Sequence, residues 1–372
     1  MKATARAVAL EALDRIERTD AYANLVLPSL LVRSPHLAER DRAFATDLVY
    51  SVTRMRRACD WLVDRFLHRP VDRHTRNVLR LGAYQLVFLG TPPHAAISTS
   101  VELGGRASRL VEAVLRRVAE ASPEWPDDAT RLSYPDWIVE RLTADLGREV
   151  ALEALETMNK APQVHERPDG YVQDLSSQWV ATHVGAGEGE TVADVCAAPG
   201  GKATAMGEQG AFVVAGDARP GRARLVLDNV RRLGLENVAV VAADGRRPPL
   251  RPVLDAVLVD APCSGLGVLR RRPDARWRIQ PEAVAELALL QRQLLAGAAG
   301  LLHGGGRLVY SVCTMTTAET TEVDDWLRDE HPELEALAAP GAPWTPRGRG
   351  ALLLPQTAGT DGMFMLTLAL AG

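Results

Sequence analysis

Lysine is almost missing from this chain: Lys2, Lys160 and Lys202 are the only three among 43 basic residues. Arginine fills nearly every other cationic position, so a lysine at 202 stands out against the bias. Cysteine is also scarce, with Cys59, Cys196, Cys263 and Cys313 alone. None of the four forms a close pair of the zinc-site type, so neither a metal centre nor a disulfide framework is expected, and the thiols are expected to be free and reduced. No apolar run reaches the ~18–20 residues that a membrane-spanning helix needs. The start of the chain carries Arg6, Glu11 and Glu17 in place of the apolar stretch of a signal peptide. A cytoplasmic, monomeric protein with no membrane partner is the expectation. A net charge of −4 excludes a wholly basic nucleic-acid binder and leaves room for a local basic face. Two nucleotide fingerprints are missing as well. There is no GxGxxG, which argues against a nicotinamide or flavin oxidoreductase, and no GxxxxGK[ST] P-loop.

What is present is an ordinary globular composition, 47% hydrophobic and 24% charged, in 372 residues, enough for two or three domains. Residues 1–145 read as helices. Apolar positions recur at helical spacing over 4–18, 39–67 and 72–89, and Pro92-Pro93 opens a further helix. Helical patterns also cover 107–121 and 134–158. Residues 146–172 read as a helical linker that ends in the polar, Pro- and Gly-containing stretch Asn159–Val172. From 173 to 372 the pattern alternates. Strands are expected at 191–196, 211–217, 237–242, 254–260 and 305–312, with helices at 200–209, 219–233, 281–302 and 317–329 and a closing strand at 362–370. Such alternation predicts a parallel sheet covered by helices, a Rossmann-like α/β domain behind an all-α one.

In open α/β sheets ligands bind at the carboxyl ends of the strands. The first expected strand ends in Asp194-Val195-Cys196-Ala197-Ala198-Pro199-Gly200-Gly201-Lys202, where two glycines let backbone approach a ligand closely. Asp217 ends the second strand and is placed for a ribose diol. Asp244 follows the third and could meet an adenine amino group, and Asp260 ends the fourth. One such acid is usually a turn residue; four at successive strand ends point to a nucleoside pocket. Cys263 and Cys313 follow the fourth and fifth strands, so a parallel sheet would bring both thiols to one edge. Arg270, Arg271, Arg272, Arg276 and Trp277 follow Cys263 closely, a composition suited to phosphate contacts and base stacking, and also to a solvated charged turn.

These segments, DVCAAPGGK (194–202), DAPCSG (260–265), GVLRRRPDARW (267–277), YSVCT (310–314) and DGMF (361–364), resemble the Sun family of RNA cytosine-C5 methyltransferases, in its bacterial small-subunit (16S) rRNA branch. RDRAFATDLVYS (40–51) and LGAYQLVFLGTPPHAA (81–96) resemble the NusB-like RNA-binding domain that precedes the catalytic domain in that branch. The resemblance implies S-adenosylmethionine as cofactor, surrounded by Cys196, Ala197, Ala198, Pro199, Gly200, Gly201, Lys202, Asp217, Asp244 and Asp260. It implies RNA, and small-subunit rRNA in particular, as partner. It implies catalysis by Cys313 as nucleophile at C6 of the base, with Cys263 aiding product release and Asp260 stabilising charge on the ring. DNA cytosine methyltransferases use a Pro-Cys thiol to attack, which keeps Cys263 open as the nucleophile. The chain departs from the family in two places. Only the short stretch after Asn159 stands where the family inserts a small α/β subdomain that helps hold RNA, and Met363 replaces a common aromatic residue. The first departure keeps an alternative open, a non-catalytic RNA-binding, ribosome-assembly or antitermination-like factor derived from such an enzyme. The intact Lys202, Asp260, Cys263 and Cys313 favour the enzyme.

Overall fold

The structure, a computed structural model, describes residues 4–371. It comprises two compact units, one holding the chain as far as Val139 together with Arg270–Arg278, the other Glu140–Leu269 and Ile279 onward.

The first unit is built from helices α1 (Ala5–Thr19), α2 (Ala23–Val32), α3 (Glu39–Arg54), α4 (Arg56–Asp64), α5 (Arg73–Val87), α6 (Pro93–Leu103), α7 (Ser108–Glu120) and α8 (Asp128–Leu132). Local signals set their ends. Thr4 and Asp72 cap α1 and α5 by accepting hydrogen bonds from Ala7 N and Thr75 N, and Pro93 occupies the first turn of α6. The apolar stripes close on a core that includes Val8, Leu13, Leu48, Val52, Leu62, Leu79 and Leu115. The stretch 39–67, expected as one helix, is two, because Met55 leaves helical geometry (φ −92°, ψ 21°). Helix α2 escaped the periodicity argument: ANLVLPSLLV has only Asn24 and Ser29 as polar residues and exposes Leu25 and Val32, so its polar face is too thin to mark a period.

The stretch 134–158 is likewise two helices, α9 (Asp136–Leu146) and α10 (Arg148–Thr157), separated by Gly147 at φ 82°. The polar segment that follows is irregular and leads to α11 (Leu175–His183), capped by Asp174. Then come β1 (Thr191–Asp194), α12 (Gly201–Glu208), β2 (Phe212–Asp217), α13 (Pro220–Leu233), β3 (Val238–Ala242), β4 (Leu254–Asp260), α14 (Glu282–Ala299), β5 (Leu302–Val312), α15 (Thr321–Glu330), β6 (Leu334–Ala336), β7 (Thr345–Arg347), β8 (Gly350–Leu353), α16 (Pro355–Ala358) and β9 (Met363–Leu370). The sheet order is β3-β2-β1-β4-β5-β9-β8-β7, with β6 pairing β9. Strands β1 to β5 are parallel, and β9 runs antiparallel beside β5. Buried Val192, Val213, Ala256, Leu258 and Val309 form its core on successive strands. Strand β5 starts three residues earlier than expected, because the Gly304–Gly306 run allows a bulge between its pairings at Leu302 and Arg307. The strand order reverses between β1 and β4, and that crevice is where an open α/β sheet holds its ligand.

Candidate functional site

All the strand-end residues singled out above lie in the second unit. The turn after β1 reaches α12 through Gly200, which stands at φ 111°. A Cβ there would be 3.2 Å from Val226 Cγ1, so both conformation and space call for glycine. Gly201 is equally enclosed: a Cβ would meet Gln173 Nε2 at 3.0 Å and the Tyr171 ring at 3.2 Å. Arg167 braces the same turn, donating to Gly201 O (2.5 Å) and Thr204 Oγ1 (3.2 Å) and pairing with Asp169. The polar stretch before Gln173, legible in the sequence only as a linker, thus packs on the glycine turn.

Asp194 is fully buried at the end of β1. Its Oδ1 accepts from Cys196 N (3.2 Å), while Oδ2 has no hydrogen-bond partner among the described residues. Burial, reinforced by the charge of Asp260, pushes its pKa up to about 7. Asp217 accepts from Arg219 N (3.0 Å) and pairs with Arg222 (3.0 Å), whose guanidinium also reaches Ala198 O (2.9 Å). Arg222 was missed by sequence reading; it ties the second strand end to the glycine turn. Asp244 pairs with the exposed Arg246, whose hydrogen bonds hold its carboxyl down at about 2.

Lys202 is buried and its ammonium sits 2.7 Å from Asp260 Oδ2. Burial disfavours that charge, but Asp260 outweighs it, with Cys313 and Asp194 adding to the effect, and the pKa of Lys202 rises. The other Asp260 oxygen accepts from Ser311 Oγ at 2.6 Å. Because β4 and β5 are parallel neighbours, the loops after them place Cys263 Sγ and Cys313 Sγ 3.3 Å apart, although 50 positions separate them. The hydrogen bond to Cys313 and burial raise the Cys263 thiol well above its ordinary pKa. A backbone clasp fixes the Cys313 loop: Gly267 N donates to Cys313 O (3.0 Å), and Gly362 N donates to Gly267 O (2.8 Å). The DGMF segment is held in turn by Asp174, which accepts from Asp361 N (3.2 Å).

The residues of the glycine turn fit a nucleoside-bearing cofactor. A buried carboxylate oxygen is left without a partner, close backbone approach is provided by glycine, and acids stand at the neighbouring strand ends. A switch-point sheet carrying this turn and these acids defines a Rossmann-like nucleoside-binding domain. Residues 181–369 match the 16S rRNA methyltransferase RsmB/F family, and residues 3–120 match the NusB family. The ribosomal RNA small subunit methyltransferase B of Thermus thermophilus is 37% identical over 399 aligned positions that cover 98% of this chain and 97% of that one. Its namesake from Sodalis glossinidius is 31% identical, with 96% of each chain covered. Among solved structures, PH0851 shares the fold with a TM-score of 0.79 at 21% identity, covering 97% of this chain and 98% of that one. The chain belongs to the 16S rRNA methyltransferase RsmB/F family, with a NusB domain at its N-terminus and S-adenosylmethionine as its cofactor.

The arginine-rich segment after Cys263 divides between buried and exposed positions. Arg270–Arg278 belongs to the first unit, and of its five arginines two are buried, two half-buried and one exposed. Arg276 is fully buried, with its guanidinium 3.8 Å from the centre of the Tyr134 ring and donating to Ser133 O (3.1 Å). Burial lowers its pKa to about 10. Arg270 is buried as well, its carbonyl accepting from Arg54 (2.9 Å). Trp277 Nε1 donates to Thr53 O (2.8 Å), under the guanidinium of Arg56. Arg271 is half-buried, and only Arg272 of the five is exposed. Within this run the guanidinium groups of Arg276 and Arg278 are engaged by backbone carbonyls and aromatic rings. Among the described residues no cluster of three or more His, Cys, Asp or Glu side chains could hold a metal ion, and no helix is long and apolar enough to cross a membrane.

Proposed function

We propose that this chain methylates C5 of a cytosine in RNA, with 16S rRNA as substrate, through a covalent bond between Cys313 and C6 of the base. The approach of Cys263 and Cys313 to 3.3 Å beside the Lys202–Asp260 pair carries the reading. C5 of cytosine is too weak a nucleophile to take a methyl group unaided. Bound S-adenosylmethionine supplies an electrophilic methyl group on a sulfonium. The Cys313 thiolate adds to C6, forming the C6–S bond and moving electron density to C5, which then takes the methyl group. The C5 proton leaves to a base, the C6–S electrons return to sulfur, and the ring regains its double bond. The Lys202 ammonium lies near the Cys313 thiol. Asp260, held by Lys202 and Ser311, faces charge on the ring. Cys263 stays protonated and aids release. The region 1–145 serves as the RNA-binding module, and a base in a helix must be flipped out of its stack to reach the thiols.

The test is bisulfite sequencing of small-subunit rRNA from cells with and without the gene. One cytosine protected only in its presence is the expected result. Full conversion in both strains would favour the non-catalytic alternative or another RNA. With purified protein, Cys313→Ala is expected to abolish the covalent RNA adduct and methyl transfer. Cys263→Ala is expected to keep forming the adduct and to lose turnover; an adduct that vanishes with Cys263 instead would reverse the two assignments.

A further inference from the structure

Glu319 is fully buried between the two cysteine loops, and nothing in the chemistry above uses it. Its carboxylate accepts four hydrogen bonds. Oε1 takes Ser264 N (2.8 Å) and Gln291 Nε2 (3.1 Å); Oε2 takes Ser264 Oγ (2.5 Å) and Thr316 Oγ1 (2.9 Å). All four lone-pair sites of an ionised carboxylate are therefore filled by donors, which is what keeps a charge tolerable at such depth. Gln291 on α14 also donates to Pro262 O (2.9 Å), and Tyr310 OH lies 2.7 Å from the Glu319 carbonyl.

The network is not symmetric about the thiols. Ser264, the residue after Cys263, touches Glu319 twice. Thr314, the residue after Cys313, is linked to it indirectly, through the Ser264 hydroxyl 2.9 Å from Thr314 Oγ1 and through Thr316, whose N donates to Thr314 Oγ1 at 3.5 Å. The charged groups divide the same way. Cys263 is faced by Cys313 and Glu319, and Cys313 lies toward Lys202 on α12, itself paired with Asp260 and near Asp194. Arg292 on α14 faces Tyr310 in the same region.

We propose that Glu319 is a positioning residue that gives the two thiols different roles, fixing the turn after each and setting a buried negative charge on the Cys263 side. Cys263 is thereby kept as a thiol, and the thiolate forms at Cys313, beside Lys202. The inference rests on the reading of Cys313 as the attacking group.

The full-length protein would be alkylated with iodoacetamide across a pH series, and each cysteine followed by mass spectrometry of its peptide. In the wild type, Cys313 should react at lower pH than Cys263. In Glu319→Gln, the Cys263 profile should move down by about one pH unit or more, since a neighbouring charge shifts a titration by that order. Methyl transfer should fall by about tenfold or more in kcat while S-adenosylmethionine binding is retained. A folded Glu319→Gln protein with both alkylation profiles and kcat within about twofold of wild type would overturn the proposal. If that variant does not bind cofactor, Ser264→Ala takes its place, since it removes the hydroxyl relay and keeps the carboxylate. It should lower kcat with the alkylation order intact, and unchanged turnover would sink the idea. A wild-type protein that methylates no RNA would instead refute the functional reading, whatever the alkylation order.

Discussion

Asp194 holds a carboxylate that folding makes costly to ionise. It is fully buried, one oxygen meets only the Cys196 amide, and the pKa is pushed up to about 7. The sign follows from linkage. An acid whose folded pKa lies above its unfolded value binds its proton more tightly in the native state. Its contribution is fully favourable below the unfolded value near 4 and is lost as pH rises toward 7. Asp194→Asn should therefore flatten the stability profile between pH 4 and 7 and stabilise the cofactor-free protein at pH 8, by up to about 4 kcal/mol at ~1.4 kcal/mol per pH unit. Urea denaturation of both proteins at pH 5 and pH 8 checks this; equal differences at the two pH values would refute it. Saturating S-adenosylmethionine should shrink the gap if the partnerless oxygen is satisfied on binding.

At the scale of elements, the loops after β4 and β5 are locked by two glycines. Gly267 lies so near Gly362 that an added Cβ would be 2.1 Å from its carbonyl oxygen and 3.0 Å from Cys313 O. Those atoms belong to backbone, which cannot swing aside as a side chain can. Gly267→Ala should force the clasp open, lowering stability by about 1–3 kcal/mol and displacing Cys313 from Cys263. Differential scanning calorimetry reads the first effect. The yield of the trapped RNA adduct reads the second, and it should fall even at temperatures where the variant is fully folded.

At the scale of the whole molecule, the first unit is not continuous in sequence. It takes Arg270–Arg278 from a distant stretch and buries Arg276 against Tyr134 and the Ser133 carbonyl. Asp274 accepts from Ala23 N (2.9 Å) at the start of α2, and Arg278 donates to Ala21 O (2.6 Å). A fragment ending at Val139 would leave these backbone groups without their partners, each costing on the order of 1–3 kcal/mol where it stays buried. Such a fragment should melt at a lower temperature than the same unit in the full chain, and a synthetic peptide spanning 268–280 should raise its Tm. Arg276→Ala in that peptide should remove most of the rise. A fragment indifferent to the peptide would show that the segment contributes nothing to the unit.

The sequence by itself determined the alternation of strands and helices, the acids at the strand ends, the glycine turn and the two thiols. Each rests on local physics: period-2 and period-3.6 hydrophobicity, the conformational freedom of glycine, and the common edge at which parallel strands end. Helix α2 and the breaks at Met55 and Gly147 were less legible, because a decapeptide with only two polar residues shows little period and a one-residue departure barely disturbs one. Only the tertiary structure decided what long-range packing controls. It brought Cys263 to within 3.3 Å of Cys313. It revealed Glu319, six positions past Cys313 in a threonine-rich stretch that the sequence offers only as the start of a helix. It also turned the arginines at 270 and 276 inward. An arginine's fate depends on whether carbonyls and aromatic faces enclose it, and those come from residues more than a hundred positions away.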